Sequence, residues 1–406
     1  MITHTHTLSN GLRIIHLPTS SQVAYCGFGV NAGARDEKKH EHGLAHFVEH
    51  TLFKGTRKRK AWHILNRMEN VGGELNAFTT KESTFIYSIF LEKDLQRAVE
   101  LMSDLIIHSQ FPENELKKEC EVILDEIQSY EDSPSDLIFD DFENLLFDGH
   151  PLGHHILGKK STLKTFNTAI GKSFLNQFYV AENMVFFSMS QTDFKQVIKM
   201  AEKYLTAIPL QQRPILREKP PVTQKQDIQK KKKTHLSHVI IGCRVYDMYD
   251  EKRYPLFLLN NILGGPGMNS RLNVVLREKN GLVYQVESNI TSYTDTGVFT
   301  IYFGTDPKNR DKAFGLVEKE ITCLRNNKLT ATQLAAAKKQ VVGQLGVAGD
   351  HRESLFLGLG KSFLHYNRFE TLPEVFSKIE KISAEQMIET ANELLCTERL
   401  FKLTYE

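Results

Sequence analysis

The segment at residues 46–50, with the sequence HFVEH, contains residue types that bind metal ions and transfer protons. Positions four apart lie on one face of a helix, so His46 and His50 can both reach one metal ion. Glu49 shares that face, where a carboxylate can take a proton from a water whose pKa zinc lowers to about 7. The segment therefore predicts a zinc site with Glu49 as general base. With 16 histidines in the chain, the motif alone stays a hypothesis.

A catalytic zinc ion needs a third protein ligand and an open position. The acidic segment at residues 112–132 supplies candidates for that ligand, among them Glu119 and Glu126. Glu119 and Glu126 are separated by about 20° less than two helical turns, so they share one helix face. That face borders the apolar stripe of the predicted helix. Considered alone, such carboxylates are more often part of a solvated surface than of a metal site, so the residues themselves leave the choice open.

The elements that must position these residues belong to a chain of ordinary globular composition, with 406 residues, 41% hydrophobic and 25% charged. Basic side chains number 51 and acidic ones 49, and the formal charge of +2 offers no bulk attraction to nucleic acid or to an anionic membrane. No apolar run is long enough to predict a transmembrane helix. The five cysteines are scattered without a CxxC pair, and the N-terminal residues lack a signal-peptide pattern. We therefore expect a cytoplasmic protein with reduced thiols.

A change in composition divides the chain near its middle. Residues 213–234 contain three prolines and a run of four lysines, which is typical of a solvated linker. The flanking residues 1–212 and 235–406 show the same order of segments, with antiparallel-looking strand pairs between amphipathic helices. We therefore predict an α+β protein of two similar halves, each a mostly antiparallel sheet packed with helices. The first half would carry the zinc site.

The spacing of the motifs resembles that of a known family. HFVEH followed 76 residues later by Glu126 resembles the pitrilysin family of zinc metallopeptidases, in the branch of mitochondrial processing peptidase and its bacterial relatives. Similar stretches are LSNGLRI, NAGARDE, LFKGT and GGELNAFTTKESTFIY in the first half and MNSRLNVVLREKNGLVY in the second. The resemblance implies a duplicated pitrilysin-type domain with one Zn²⁺ per chain, held by His46, His50 and Glu126. It also implies a zinc-dependent endopeptidase that hydrolyses peptides or extended, unfolded protein segments.

The resemblance further implies roles for residues around the zinc. Glu119 would hold a ligand or the metal-binding helix in place, and Glu82 would support a zinc histidine through a hydrogen bond. In the second half, Arg277 would grip a substrate carbonyl or carboxylate, and Tyr284 would donate its hydroxyl to the tetrahedral intermediate. A surface ion pair with Glu278 or Glu74 is the alternative role for Arg277.

The strand-like segment GGELNAFTT is the expected substrate-binding edge. The family pairs its substrate with this strand, a mode that binds main chain and accepts only extended peptide. Asn76 and Ala77 match the family's substrate-contacting pair. Phe78 would shape the pocket beside the scissile bond, with ordinary core packing as an equal alternative.

Two other functions compete with an active peptidase. The family contains non-catalytic structural or peptide-binding subunits, which typically lack part of HxxEH or of the arginine–tyrosine pair, whereas this chain keeps both sets. A metal-storage or metal-sensing protein would leave Glu49 and the edge strand without a function.

The length of the chain bears on its oligomeric state. Single-chain pitrilysin relatives carry four pitrilysin-type domains, and this chain has room for two. We therefore expect a homodimer, with a heterodimer of related chains as the alternative.

Overall fold

The computed structural model describes residues 2–210 and 216–406, and the chain divides into two compact units. As far as it is described, the first unit combines residues up to 128 with 154–217 and 349–370. The second unit combines residues 129–153, 218–348 and 371–406. Each unit contains a β-sheet with helices packed on both faces, which confirms the predicted α+β class.

The strands form one sheet in each unit. In chain order they are β1 (His4–Thr7), β2 (Arg13–Pro18), β3 (Val23–Val30), β4 (Glu74–Thr79), β5 (Thr84–Leu91), β6 (Met184–Ser190), β7 (Asp227–Lys230), β8 (Ser237–Val245), β9 (Val283–Ser292), β10 (Gly297–Thr305) and β11 (Phe401–Tyr405). Within the described residues, the first sheet has the order β1-β2-β6-β3-β5-β4 and the second β7-β11-β8-β10-β9. Neighbouring strands are antiparallel except for the parallel pairs β2 with β6 and β7 with β11. The second sheet thus repeats the order β2-β6-β3-β5-β4 of the first, as expected for two similar halves.

Helices connect and cover the strands. In chain order they are α1 (Leu44–Leu52), α2 (Ala61–Glu69), α3 (Leu95–His108), α4 (Glu113–Glu131), α5 (Pro134–Leu146), α6 (Lys160–Leu163), α7 (Thr168–Phe178), α8 (Phe194–Leu205), α9 (Arg253–Gly264), α10 (Arg310–Asn326), α11 (Ala331–Ala348), α12 (Arg352–Tyr366), α13 (Leu372–Glu380) and α14 (Ala384–Leu394). A π-helical segment lies at Asn273–Glu278. Among the helices of residues 2–210 and 216–406, none combines the length and the apolar character that a membrane span needs.

The first sheet is buried on both faces, because its central strands are apolar at nearly every position rather than at alternate ones. Strands β3 and β6 are buried along almost their whole length. One face, which includes Phe28 and Ile86, packs against α1, α2, α3, α4, α7 and α8. The other face packs against α12, where the ring of Phe356 stacks on that of Phe187 with centroids 4.5 Å apart. Helices α1 and α12 therefore cover opposite faces of the same sheet.

Two helices pack on the sheet formed by the other half of the sequence. Helix α5 lies in the first half, but its Ile138 and Phe142 pack in the second unit against Ile240. Helix α12 lies in the second half, but it belongs to the first unit. The compact units are therefore discontinuous and differ from the predicted ranges 1–212 and 235–406. Hydrophobic periodicity shows that a helix has an apolar face, but it carries no information about which sheet covers that face.

The predicted linker at residues 213–234 also differs from the structure in part. Residues 213–215 lie outside the described residues. Further along, β7 pairs with β11 at the edge of the second sheet, and Lys230 Nζ lies 2.7 Å from Asp141 Oδ2. A four-residue strand of sequence DIQK has too little apolar alternation to be recognised among prolines and lysines, so composition indicates only a linker.

Candidate metal centre

Helix α1 carries the HFVEH segment and presents it at the edge of the first core. Its apolar residues Leu44, Val48 and Leu52 are buried against the sheet and the neighbouring helices. The histidines lie on the side of the helix that faces α4, where His46 is buried and His50 is half-buried. The sequence folds this way because the apolar stripe holds α1 against the sheet and leaves the histidine face toward α4.

Three predicted ligands converge between α1 and α4. Oε2 of Glu126 lies 3.7 Å from Nε2 of His46 and 3.6 Å from Nε2 of His50. These separations are too long for good hydrogen bonds. In a tetrahedral zinc site with zinc–ligand distances of about 2.0–2.1 Å, two ligand atoms lie about 3.4 Å apart. The observed separations are close to that value. Within residues 2–210 and 216–406, this trio is the one set of ligand atoms close enough together to hold a metal ion. Two imidazoles and a carboxylate fit zinc, and the exposure of Glu126 keeps one side of the site accessible to solvent.

The protonation state of His46 suits metal binding. Burial, followed by the neighbouring His50, lowers the pKa of His46 to about 3. A metal ligand must be the neutral imidazole, with a free lone pair on the nitrogen that faces the ion. His46 is therefore neutral at physiological pH, and its Nε2 points toward Glu126 rather than toward a hydrogen-bond donor.

Glu119 occupies the position that sequence predicts for a supporting carboxylate. It is buried on α4, and its Oε2 lies 3.2 Å from Nδ1 of His50. Its other oxygen pairs with Lys54 Nζ at 2.6 Å. A carboxylate that accepts the Nδ1–H of a histidine leaves the Nε2 lone pair for the metal. Glu126 thus lies beside Nε2 of both histidines, whereas Glu119 contacts Nδ1, the other ring nitrogen of His50.

Glu49 is buried on the same helix and is oriented by a residue that sequence reasoning missed. The hydroxyl of Thr79 donates a hydrogen bond of 2.6 Å to Oε2 of Glu49. Burial raises the pKa of Glu49, the contacts with Thr79 and His50 lower it, and Glu126 raises it. The signal for Thr79 was its place in β4, two residues after Ala77 and therefore on the same face of the strand.

Strand β4 forms the edge of the first sheet next to α1. Its side chains alternate, so Leu75 and Ala77 contact the core that includes α1, while Phe78 faces α12. Phe78 stacks on Phe85 with ring centroids 5.2 Å apart. Core packing, one of the two predicted roles of Phe78, is thus observed. Asn76 is half-buried on the same face of the strand as Phe78.

Glu82 does not support a metal histidine, in contrast to the prediction. It lies in the turn between β4 and β5, where Oε1 pairs with Arg35 Nη1 at 2.6 Å and its backbone carbonyl accepts from Arg217 at 2.8 Å. Among the described residues, no hydrogen bond joins it to His46 or His50. The turn directs Glu82 toward the buried arginines, which a spacing rule along the sequence cannot reveal.

Arg277 and Tyr284 belong to the second unit. Arg277 is half-exposed in the π-helical segment, with Nε 3.7 Å from the carboxylate of Glu278. Tyr284 is the second residue of the edge strand β9, and the residue is 89% exposed. Their predicted roles toward substrate stay predictions.

Comparison with known proteins connects this geometry to a family. The family model described as Insulinase (Peptidase family M16) matches residues 14–160, which include all three predicted ligands. The model described as Peptidase M16 inactive domain matches residues 172–341. The chain belongs to the M16 peptidase family. This confirms the family predicted from HFVEH and Glu126, and the word inactive applies to a range that contains none of the metal-ligand candidates.

Relatives of this M16 member extend over nearly its whole length. It is 32% identical over 391 residues to the Bacillus subtilis protein named uncharacterized zinc protease YmxG, covering 96% of this chain and 95% of the relative. It is 30% identical to the Mycobacterium leprae protein named uncharacterized zinc protease ML0855, covering 96% of this chain and 88% of the relative. A protease from Helicobacter pylori has the same fold, with a TM-score of 0.93 at 21% identity, covering 100% of this chain and 99% of that structure.

Proposed function

We propose that this M16 family member is a zinc-dependent endopeptidase that hydrolyses peptides or extended segments of proteins. The observation that carries the proposal is the convergence of His46, His50 and Glu126, whose ligand atoms lie within 4.8 Å of one another, next to a buried Glu49. Relatives named zinc proteases support the assignment. A zinc ion held by the three residues would supply a Lewis acid and lower the pKa of a water molecule.

Glu49 is the proton-transfer group of the proposed reaction. Burial raises the pKa of its carboxyl toward the range in which a group can both take a proton from water and return it to the leaving amine. The hydrogen bond from Thr79 holds Oε2, so the carboxylate has a fixed orientation. That hydrogen bond leaves Oε1 as the oxygen that would accept a proton from the reacting water.

The edge of β4 is the proposed substrate-binding surface. Among the described strands, β4 pairs on one side only, with β5, so the backbone groups of its other side are available to an added strand. An extended peptide that pairs there is held through its main chain, with little demand on its sequence. Because Thr79 joins this strand to Glu49, the bound main chain would lie next to the proton-transfer group.

Arg277 and Tyr284 enter the proposal as substrate-contacting residues. Their exposed side chains offer a guanidinium for a carbonyl or carboxylate and a phenol for a developing oxyanion.

A homodimer in the cytoplasm is also part of the proposal. The free state of all five cysteines supports a reducing compartment, and a light-scattering mass would test the dimer.

The direct test combines peptide hydrolysis with zinc analysis on the full chain. For Glu49→Gln we expect kcat to fall by about 10²–10⁴-fold with unchanged zinc content, because the general base is lost while the ligands stay. For Glu126→Gln we expect lower zinc content. Glu121→Gln, an exposed change on the same helix α4, is the matched control and should leave both quantities unchanged.

Two results would contradict the proposal. Full activity of zinc-loaded Glu49→Gln would exclude the general-base role. A wild-type protein that binds zinc and peptides but hydrolyses none of a broad set of unfolded substrates would favour the alternative, a non-catalytic peptide-binding subunit of the same fold.

A further inference from the structure

A buried carboxylate outside the metal cluster holds the N-terminus of α1. Glu37 Oε2 accepts a hydrogen bond of 2.8 Å from the backbone N–H of Gly43, and Oε1 accepts one of 2.7 Å from Ala45. Nε2 of His154 lies 2.9 Å from Oε2 of Glu37, whose side chain has no exposed surface. Backbone N–H groups in the first turn of a helix have no partner within the helix, so Glu37 satisfies donors that would otherwise be unpaired and buried. The capped turn lies directly before His46.

The usual cap is missing at this helix. Residues such as Ser, Thr, Asp and Asn at the N-cap position normally accept these hydrogen bonds through their own side chains. Here the N-cap residue is Gly43, with a φ of 96°. A Cβ at that position would lie 2.7 Å from the carbonyl oxygen of Leu157, so no capping side chain fits. Glu37, which precedes α1 in the chain, therefore accepts the backbone hydrogen bonds that an N-cap side chain would normally accept.

The two metal-ligand histidines differ in how their rings are held. The ring of His50 is oriented by Glu119, whereas Nδ1 of His46 is buried and has no hydrogen-bond partner among the described residues. A ligand histidine is usually oriented by a hydrogen bond from its second nitrogen. Without a protein partner for that nitrogen, the position of His46 depends on the main chain of the first turn of α1.

We infer that Glu37 is a positioning residue for His46, and that its capping of α1 increases the affinity of the protein for zinc. The inference rests on the proposed function, because it concerns the same metal centre. Glu37 acts through the backbone of Gly43 and Ala45 rather than on the ion. Removing groups that orient metal ligands typically weakens metal binding by about 10–100-fold, and we expect the same range for loss of this cap.

The test measures the zinc dissociation constant of the full chain by competition with a chromophoric chelator, together with thermal unfolding followed by circular dichroism. The variants are Glu37→Ala, which removes both acceptors, and Glu37→Gln, which keeps one oxygen. Asp193→Ala is the matched control, because the Asp193 side chain caps α8 by accepting from the N–H of Lys195 at 2.9 Å, and α8 carries no metal ligand.

For Glu37→Ala we expect a zinc Kd about 10–100-fold higher, and for Glu37→Gln about 3–10-fold higher, as for one lost hydrogen bond. Asp193→Ala should unfold at a lower temperature with an unchanged zinc Kd. If Glu37→Ala fails to fold, Glu37→Gln decides alone. A folded Glu37→Gln with the Kd of wild type would overturn the inference, and so would an equal loss of affinity in Asp193→Ala. A wild-type chain that binds no zinc would instead refute the proposed function itself.

Discussion

The imidazole of His50 is oriented by Glu119, which in turn forms an ion pair with Lys54. Lys54 pairs with one oxygen of Glu119 at 2.6 Å, and the other oxygen lies 3.2 Å from Nδ1 of His50. The ion pair with the ammonium group fixes the position of the carboxylate, and a carboxylate accepts an N–H strongly. The direction of the His50 ligand atom thus depends on a residue that does not contact the ion.

For Glu119→Gln we expect the zinc Kd to rise by about 10–100-fold, because a neutral amide orients Nδ1–H less strongly than a carboxylate. The measurement is the same chelator competition. Glu115→Gln, at a surface position on α4 that pairs with Lys118, is the control and should leave the Kd unchanged. An unchanged Kd in Glu119→Gln would mean that the carboxylate does not orient His50.

Sequence reasoning reached the metal ligands and stopped at the residues that orient the site. His46 and His50 lie on one helix face whatever surrounds them, so local geometry alone predicts their proximity. Choosing Glu126 over Glu119 depended on the family resemblance, since both lie on one face of α4. Strand alternation places Thr79 on the same face of β4 as Ala77, but it does not identify the partner of the hydroxyl. The hydrogen bonds from Thr79 to Glu49 and from Gly43 to Glu37 depend on tertiary contacts, which local sequence patterns do not reveal.

Helix α12 is the element whose position was least expected. Phe356 is fully buried, and its ring lies 4.5 Å from that of Phe187 and 5.3 Å from that of Tyr25 in the first sheet. The hydroxyl of Tyr87 donates a hydrogen bond of 2.7 Å to Glu353 at the start of the helix. The strands, the helices and the α+β class could be predicted from local patterns. The packing of α5 and α12 on the sheet of the opposite half of the sequence could not be predicted, because either sheet offers a suitable apolar face.

For Phe356→Ala we expect a loss of about 3–5 kcal/mol of unfolding free energy, from lost burial and the cavity left behind. Urea unfolding measures the loss. Hydrogen exchange should show faster exchange in β3, β5 and β6, with β8 and β10 unaffected. Ser354→Ala, at an exposed position of α12, is the control and should change stability by less than about 0.5 kcal/mol. Faster exchange in β8 and β10 instead would contradict the assignment of α12 to the first unit.

At the scale of the whole molecule, stability depends on pH through two histidines of the first unit, of which His16 is fully buried and His365 partly buried. Burial lowers the pKa of His16 to about 4, and likewise that of His365 to about 4, from the ordinary 6.5. Between pH 6.5 and about pH 4, these two histidines are therefore protonated in the unfolded chain but remain neutral in the folded chain. The stability contributed by these neutral rings is complete above pH 6.5 and is lost as the pH falls toward 4.

For the metal-free protein we expect His16→Gln to reduce the loss of unfolding free energy between pH 7 and pH 5 by roughly 1–2 kcal/mol. Urea unfolding at both pH values gives the difference. His40→Gln, at a side chain that is 77% exposed, is the control and should keep the pH dependence of wild type. If His16→Gln kept it as well, protonation of His16 would not contribute to acid destabilisation.

The discontinuity of the first unit has a consequence during synthesis of the chain. Strands β1 to β6 leave the ribosome early, but the helix that covers their second apolar face is made only after residues 218–348. At about 5–20 residues per second, that interval lasts on the order of 10 s. During this time Phe85, Phe187 and their neighbours have no cover from α12. The nascent chain therefore has to avoid aggregation until its last segments emerge, and binding by a chaperone in that interval would increase the yield of folded protein.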